Sequence, residues 1–432
     1  MLRKVRESRP GAERHGAGRR SRGETVVDED SVAVVGGSIA GCATAQAVAR
    51  AGAGRVTVFE RAGGELRDRG VGIGLHDARF AELEAAGYVD SSMPWSGLNR
   101  RVWTIRDGDA ELGHGFAEQH FPFRSYNWGS LWHELRSRVP ESVTYHTGAA
   151  VTAVEQDADG VSLKLADGSQ ERFDAVIGAD GYRSVVREAM FPGLAPDYAG
   201  YLGWRGTSAP VAGDPETDGA EARVVVFPGG HCMMYLIPAA GGGFRMNWVL
   251  YAVPPDDPDL LLDLRTPTSL PPGRVAAKLT AYLRELVAEH FPPYWGRCVL
   301  RTAPEDSFIQ PIYDLQVPRL AVGRLLLAGD AATVVRPHTG GGSVKALQDA
   351  TALEAACRAG DGWPEIAAAY DEDRTAVGAA MVALGRRLGR AQVEQTPDWQ
   401  KMGQPEFDAW WQEQNQGPDR SSGFGGHALK RA

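Results

Sequence analysis

Three short apolar runs, each ending in a glycine, constrain this chain more than any other feature. They are Ser31–Val35 (SVAVV, then Gly-Gly), Ala175–Gly178 (AVIG, then Ala-Asp) and the stretch Leu325–Gly329 (LLLAG, then Asp). A run of four or five apolar residues without alternation is buried on both faces, as in the middle of a parallel sheet. A glycine turn at the carboxyl end of such a strand is where open α/β sheets hold ligands. The runs stand about 145 residues apart, so one sheet must be assembled from distant pieces of chain.

Between the second and third runs the pattern changes. Residues 198–207, 222–227, 231–237 and 244–252 are rich in aromatic and β-branched residues and are separated by PGG and AAGGG turns. That spacing predicts an antiparallel meander. If 231–237 pairs with 245–251, residues whose numbers sum to 482 face each other, and alternation sorts the side chains. One face, with Cys232, Met234, Leu236, Met246, Trp248 and Leu250, is apolar and belongs against protein. The other carries His231, Met233, Tyr235, Ile237, Arg245, Asn247 and Tyr251, a mixture suited to a pocket for a hydroxylated ring. Residues 274–291 read as a helix. From Asp349 to about 390 the chain reads helical again, Pro364 opening a new helix.

The balance of charge excludes some functions. A formal charge of −9 over 432 residues argues against a dedicated nucleic-acid binder. No apolar run reaches the 18 residues of a membrane span. Cys42, Cys232, Cys298 and Cys357 form no CxxC pair, and read as reduced thiols of a cytoplasmic protein. His76, His114, His120, His133 and His146 have no metal-ligand spacing, so no metal is expected. Residues 1–28 are a basic segment, with eight Lys/Arg against three Glu in the first 24 residues, and the tail 416–432 is polar and glycine-rich. Both are expected to be disordered.

The first glycine turn carries the most chemistry. Gly36 lets the chain turn out of its strand, Gly41 lets the next helix pack close, and Ser38 takes the middle position where only a small residue admits a pyrophosphate. The helix from Ile39 and Ala40 onward aims its N-terminus at the phosphates. A second strand, Arg55–Phe59, ends in Glu60, about 20 residues past the turn, where a carboxylate accepts ribose hydroxyls. The reading is a dinucleotide site, with Arg61 and Arg69 as further contacts.

The two later runs resemble the paired motifs of class A FAD-dependent aromatic-ring monooxygenases. Asp180-Gly181-Tyr-Arg183-Ser-Val-Val-Arg187 is similar to their DG motif, and Gly329-Asp330-Ala-Ala, followed by Arg336-Pro337-His338-Thr-Gly340-Gly341-Gly342, to their GD motif. The GGSIAG turn, Gly203-Trp204-Arg205-Gly206 and Gln310-Pro311-Ile312-Tyr313-Asp314 resemble the 2,6-dihydroxypyridine 3-monooxygenase branch. Thr333 and Arg336 depart from the family pattern, where a histidine and a proline are common.

The resemblance implies an α/β fold: a Rossmann-type FAD-binding domain with a parallel sheet, an inserted mainly antiparallel substrate sheet, and C-terminal helices. On that plan 29–195 and 300–390 bind FAD, 196–299 forms the substrate domain and 391–415 a C-terminal helix. It implies that Asp330 bonds the ribityl chain, that Gly340, Gly341 and Gly342 present N–H groups to the flavin, and that His338 touches flavin or substrate. His231, Tyr235 and Asn247 are the expected substrate contacts. The implied activity is hydroxylation of an electron-rich aromatic or N-heteroaromatic small molecule through a flavin C4a-hydroperoxide. O₂ and NADH or NADPH are the cosubstrates, and the chain acts as a monomer or homodimer.

Other chemistries fit less well. GGSIAG is no nucleophile elbow, because Ala40 stands where a glycine is needed. A disulfide reductase would carry a CxxC and a second dinucleotide fingerprint, and neither is present. A flavin halogenase needs a lysine after the glycine turn, but none occurs between Lys4 and Lys164. An FAD-dependent oxidase or reductase acting on a secondary metabolite stays open as the alternative.

Overall fold

The computed structural model describes residues 30–64, 66, 71–211, 214, 218–239, 241–257, 277–416 and 423–429. The basic segment 1–28 and Arg69 therefore lie outside the described residues. The strands are β1 (Ser31–Val35), β2 (Arg55–Glu60), β3 (Gly72–His76), β4 (Ser96–Ile105), β5 (His114–Asn127) and β6 (Thr144–Thr147). They continue with β7 (Val151–Gln156), β8 (Val161–Leu165), β9 (Gln170–Phe173), β10 (Ala175–Gly178), β11 (Asp197–Ser208) and β12 (Glu221–Phe227). The last are β13 (Gly230–Pro238), β14 (Phe244–Ala252), β15 (Ser307–Gln316), β16 (Ala321–Val322), β17 (Leu325–Leu327) and β18 (Thr333–Val334). The helices are α1 (Ile39–Arg50), α2 (Asp77–Ala85), α3 (Trp128–Ser137), α4 (Val185–Met190), α5 (Ala277–His290), α6 (Pro293–Leu300), α7 (Gly342–Ala359), α8 (Trp363–Gly389) and α9 (Gln404–Asn415).

The three apolar runs do meet. They are neighbours in a six-stranded sheet of order β16-β17-β10-β1-β2-β6, in which β17, β10, β1, β2 and β6 run parallel. Val32, Ala33, Val34, Ala175, Val176, Ile177, Leu326 and Leu327 have no accessible surface, as continuous apolar strands require. Helix α1 is built from small residues, and ten of its twelve are buried, so it lies close against both the sheet and α7.

A second sheet has nine strands, in the order β18-β15-β11-β14-β13-β12-β4-β5-β3. The hairpin register is the expected one: His231 faces Tyr251, Tyr235 faces Asn247 and Met234 faces Trp248. Four expectations need correction. The meander is not in chain order, because β11 returns beside β14 while the other edge of β12 pairs in parallel with β4. Strands β3, β4 and β5, from the first nucleotide segment, and β15, from the second, belong to this sheet. Helix α7 begins at Gly342 rather than Asp349. The segment 391–415 is not one helix: a π turn over Arg390–Glu394 closes α8 and a short 3₁₀ turn follows before α9.

The glycine-rich tail is corrected too. Within it residues 423–429 are packed, with Phe424 set 5.4 Å from Trp411 and 5.8 Å from Phe123, centroid to centroid. Gly425 N donates to Thr339 O at 2.8 Å, and Leu429 N donates to Glu82 at 3.1 Å. Composition suggested a polar coil; one inserted ring and close backbone contacts fix residues 423–429.

Candidate active site

One cavity of about 560 Å³ runs from the carboxyl ends of β1, β2, β10 and β17 to the face of the nine-stranded sheet. At its first end, Gly36 has φ +102°, and a Cβ there would stand 2.4 Å from Ala179 O. Gly41 meets the backbone of Gly36 just as closely. No side chain caps α1 at Ser38, so its first N–H groups are left for a ligand. Gly36, Ser38, Ile39, Ala40, Glu60 and Arg61 line this end, while Gly41 packs behind it.

Glu60 does more than the spacing indicated. Its carboxylate accepts from Gly37 N at 2.7 Å and Ala62 N at 2.8 Å. Trp132 Nε1 and Tyr145 OH donate to Gly37 O at 3.0 and 2.8 Å. Gly37 is thus clamped at both its N–H and its C=O, by Glu60 on one side and on the other by Trp132 and Tyr145, which no local pattern reveals.

The other two motifs complete the cradle. Asp180 accepts from Val185 N at 2.7 Å, and its Oδ1 is buried without a partner among the described residues. Burial pushes its carboxyl up. Arg187 Nη1 and Nη2 donate to Ala331 O at 3.0 Å and Tyr182 O at 2.6 Å, which ties the two motifs together. Gly329 has φ +60° and would bring a Cβ within 2.6 Å of Ala40. Its N–H donates to the buried Asp349 at 2.9 Å, which sets Asp330 at the cavity wall. The accessible surface of Asp330 lies inside the cavity, so burial still raises its carboxyl, with Lys345 opposing. Helix α7 opens at Gly341–Gly342 with no side-chain cap, and Gly340, Gly341, Gly342 and Ser343 line the cavity.

These features suit FAD: two uncapped helix N-termini facing one cavity, a backbone cradle with no room for a Cβ, and an orphaned buried carboxylate oxygen. Glu60 and Asp330 would hold the ribose and ribityl hydroxyls. The start of α7 would stabilise the negative charge of a reduced flavin ring.

The second end of the cavity is the face of β13 and β14. His231, Met233, Tyr235, Val249 and Tyr251 line it, and Cys232, Met234, Met246, Trp248 and Leu250 form a core cluster behind. Asn247 is on the expected face but not in the cavity: Gly72 N donates to its Oδ1 at 2.7 Å, so it positions Gly72, which does line the wall. His338 Nε2 and the Tyr201 hydroxyl share a hydrogen bond of 2.7 Å. Its ring centroid lies 4.6 Å from that of Tyr251 and 5.2 Å from that of His231. His231 Nδ1 lies 3.3 Å from Gln392 O. Burial lowers His231 to about 4, and burial, then His231, Arg336 and Arg205 hold His338 well below the usual histidine range. Both rings are neutral at pH 7. The sequence reading missed Gln392, Arg101 and Phe424 as parts of this wall, and Tyr201 as the buried partner of His338.

Comparison with known proteins gives the same outline. Residues 29–195 and 275–384 match the FAD binding domain family. The chain is 32% identical to 2,6-dihydroxypyridine 3-monooxygenase of Paenarthrobacter nicotinovorans, over 75% of this chain and 82% of that protein. It is 32% identical to a 3-amino-4-hydroxybenzoate 2-monooxygenase of Streptomyces platensis, over 74% and 78%. The structure of 2,6-dihydroxypyridine-3-hydroxylase from Arthrobacter nicotinovorans superposes with a TM-score of 0.75 at 27% identity, over 86% of this chain and 95% of that one. With the cradle, the two sheets and these relatives in agreement, the chain belongs to the class A FAD-dependent aromatic monooxygenase family.

Proposed function

We propose that this protein hydroxylates an electron-rich aromatic or N-heteroaromatic small molecule, using FAD, O₂ and NADH or NADPH. One observation carries the reading: an aromatic wall with polar tips (His231, Tyr235, Tyr251) opens into the same cavity as the flavin cradle. When bound and reduced, FAD supplies an electrophilic oxygen atom derived from O₂. The chain's own residues bind and orient the ring. Gln392 O can only accept, so Nδ1 of neutral His231 carries the proton and Nε2 is left as an acceptor. A ring hydroxyl donating to Nε2 enriches the ring in electrons, as attack by an electrophile requires. Tyr235 and Tyr251, whose hydroxyls burial holds protonated, offer donors to ring substituents. Phe121, Phe123 and Phe424 exclude water from this end.

The test is purification of the yellow protein, followed by NAD(P)H oxidation and product analysis across a panel of hydroxylated benzenes, pyridines and indoles. Stimulated oxidation with one oxygen atom gained by the ring supports the proposal. Hydrogen peroxide as the sole oxygen product with every ring would favour an oxidase on the same scaffold.

A further inference from the structure

Arg101 on β4 is 5% exposed and lines the cavity. Taking a guanidinium out of water costs several kcal/mol unless an opposite charge or a full set of acceptors compensates. Among the described residues the other buried arginines are compensated: Arg374 pairs with Asp349 at 2.7 Å, as do the half-buried Arg336 with Asp314 at 2.8 Å and Glu394 at 2.7 Å and the half-buried Arg223 with Glu221. Arg187 is held by three backbone carbonyls. Arg101 has one neutral acceptor, Gln119 Oε1, at 3.0 Å from Nε and 2.6 Å from Nη2. That oxygen also accepts from Trp103 Nε1 at 2.8 Å. Among the described residues no carboxylate pairs with Arg101, and its Nη1 makes no hydrogen bond.

Four rings enclose the group: Trp411 at 4.5 Å, Phe121 at 4.9 Å, Phe424 at 5.0 Å and Trp103 at 5.2 Å from Cζ to centroid. Such rings orient a guanidinium and keep water off it without cancelling its charge. Burial lowers Arg101 to about 9 with no acid acting against it, which leaves it protonated at pH 7. Its field reaches His231 on the substrate wall. Arg101 pairs with Ala222, and the register that sets Arg223 opposite Met234 sets Ala222 beside Tyr235. Arg101 and Tyr235 thus share a sheet face two strands apart, about 10 Å, a distance that one substituted ring can bridge.

Resting on the monooxygenase reading above, we infer that Arg101 is the counter-ion of a carboxylate on the substrate, so that the ring taken is a hydroxylated aromatic acid. The acid end sits in the aromatic cage and completes the pairing that Gln119 leaves half made. The hydroxyl end faces His231 and Tyr235.

Matched acids and amides test this on the FAD-loaded enzyme: 4-hydroxybenzoate against 4-hydroxybenzamide, and 6-hydroxynicotinate against 6-hydroxynicotinamide, with 2,6-dihydroxypyridine as an acid-free ring. Dissociation constants come from the perturbed flavin absorbance, and turnover from NAD(P)H oxidation. At least one acid should bind about 50-fold more tightly than its amide, and Arg101→Gln should weaken the acid about 100-fold and collapse that ratio. Arg101→Lys should fall between. Equal binding of acids and amides by the unaltered enzyme overturns the assignment even if Arg101→Gln fails to fold. So does an Arg101→Gln effect confined to the Michaelis constant for NAD(P)H. Turnover of neutral rings alone sinks the acid and spares the monooxygenase reading. A panel that neither perturbs the flavin nor stimulates oxidation sinks both.

Discussion

Asp349 is the point at which charge, packing and cofactor geometry meet beneath the third glycine turn. Its carboxylate has no accessible surface and accepts from Lys345 Nζ at 2.6 Å, Arg374 Nε at 2.7 Å and Gly329 N at 2.9 Å. Lys345 and Arg374 are themselves 1% and 4% exposed. Asp349→Asn keeps the shape but leaves Lys345 without its ion-pair partner and Arg374 with only Asp373, at 4.0 Å, and one amide N–H must then face a cation. Removing one partner of a buried pair costs about 3–5 kcal/mol, and the two cations here place the expectation at the upper end of that range. Because Gly329 N loses its charged acceptor, the Asp330 loop should loosen and FAD retention should fall as well. Urea midpoints of the apoprotein measure the first effect, and flavin released on dilution measures the second. The acid side carries a further signature. Burial alone would raise Asp349, but Lys345 and Arg374 outweigh it and hold the carboxyl below its ordinary value. Its contribution is therefore fully present above the unfolded carboxyl pKa of about 3.9 and is lost as pH falls through the lower folded value. Asp349→Asn should thus be much less stable than the unaltered protein at pH 7 and closer to it below about pH 4. A loss under about 1 kcal/mol at pH 7 would refute the idea that this triad holds the turn.

Further outcomes follow from the two faces of β13 and the ends of the cavity. Met234, 1% exposed within the core cluster, should cost about 2–4 kcal/mol as Met234→Ala, read by urea unfolding. Tyr235→Ala should instead lower ring-stimulated NAD(P)H oxidation while leaving FAD content near normal. Reversed results would mean that the faces are misassigned. Asp330→Ala removes a charged acceptor from the cavity wall and should weaken FAD binding by about 1.5–3 kcal/mol, measured by equilibrium dialysis. Phe424→Ala should open the second end to water and raise the share of NAD(P)H oxidation that ends in hydrogen peroxide. An unchanged peroxide yield would separate this segment from the chemistry.

The nucleotide half was legible because its physics is local. A strand buried on both faces must read SVAVV or LLL, and a turn that meets another backbone at 2.4 Å must be glycine, whatever surrounds it. The β13–β14 register was legible for the same reason: a hairpin fixes its own pairing once the turn is placed. The neighbours of that hairpin were not. The partner of β12 on its far edge is β4, more than 100 residues earlier, and nothing in either strand's alternation specifies the other. The tail failed for the opposite reason: glycine-rich composition predicts a coil when the stabilising contacts, Phe424 on Trp411 and Gly425 on Thr339, belong to other parts of the chain.

Asn247 and Arg101 mark where the sequence stops carrying a site. Alternation put Asn247 on the cavity face, and it is there, but only tertiary structure turns its amide onto Gly72 N rather than toward a ring. For Arg101 the local signal points the wrong way. In Asn99-Arg100-Arg101-Val102-Trp103 two adjacent arginines look like a solvated strand edge, and Arg100 behaves so, pairing with Glu118, Asp218 and Glu221. One pleat further the same side chain type is enclosed by rings from positions 121, 411 and 424. An unpaired charge of this kind is costly wherever the fold buries it, and a chain that can discard it by a conservative change to Gln or Met gains stability by doing so. At the wall of this cavity such a charge is accounted for by a partner that arrives with the substrate. That partner would carry the charge that no described residue supplies to Arg101.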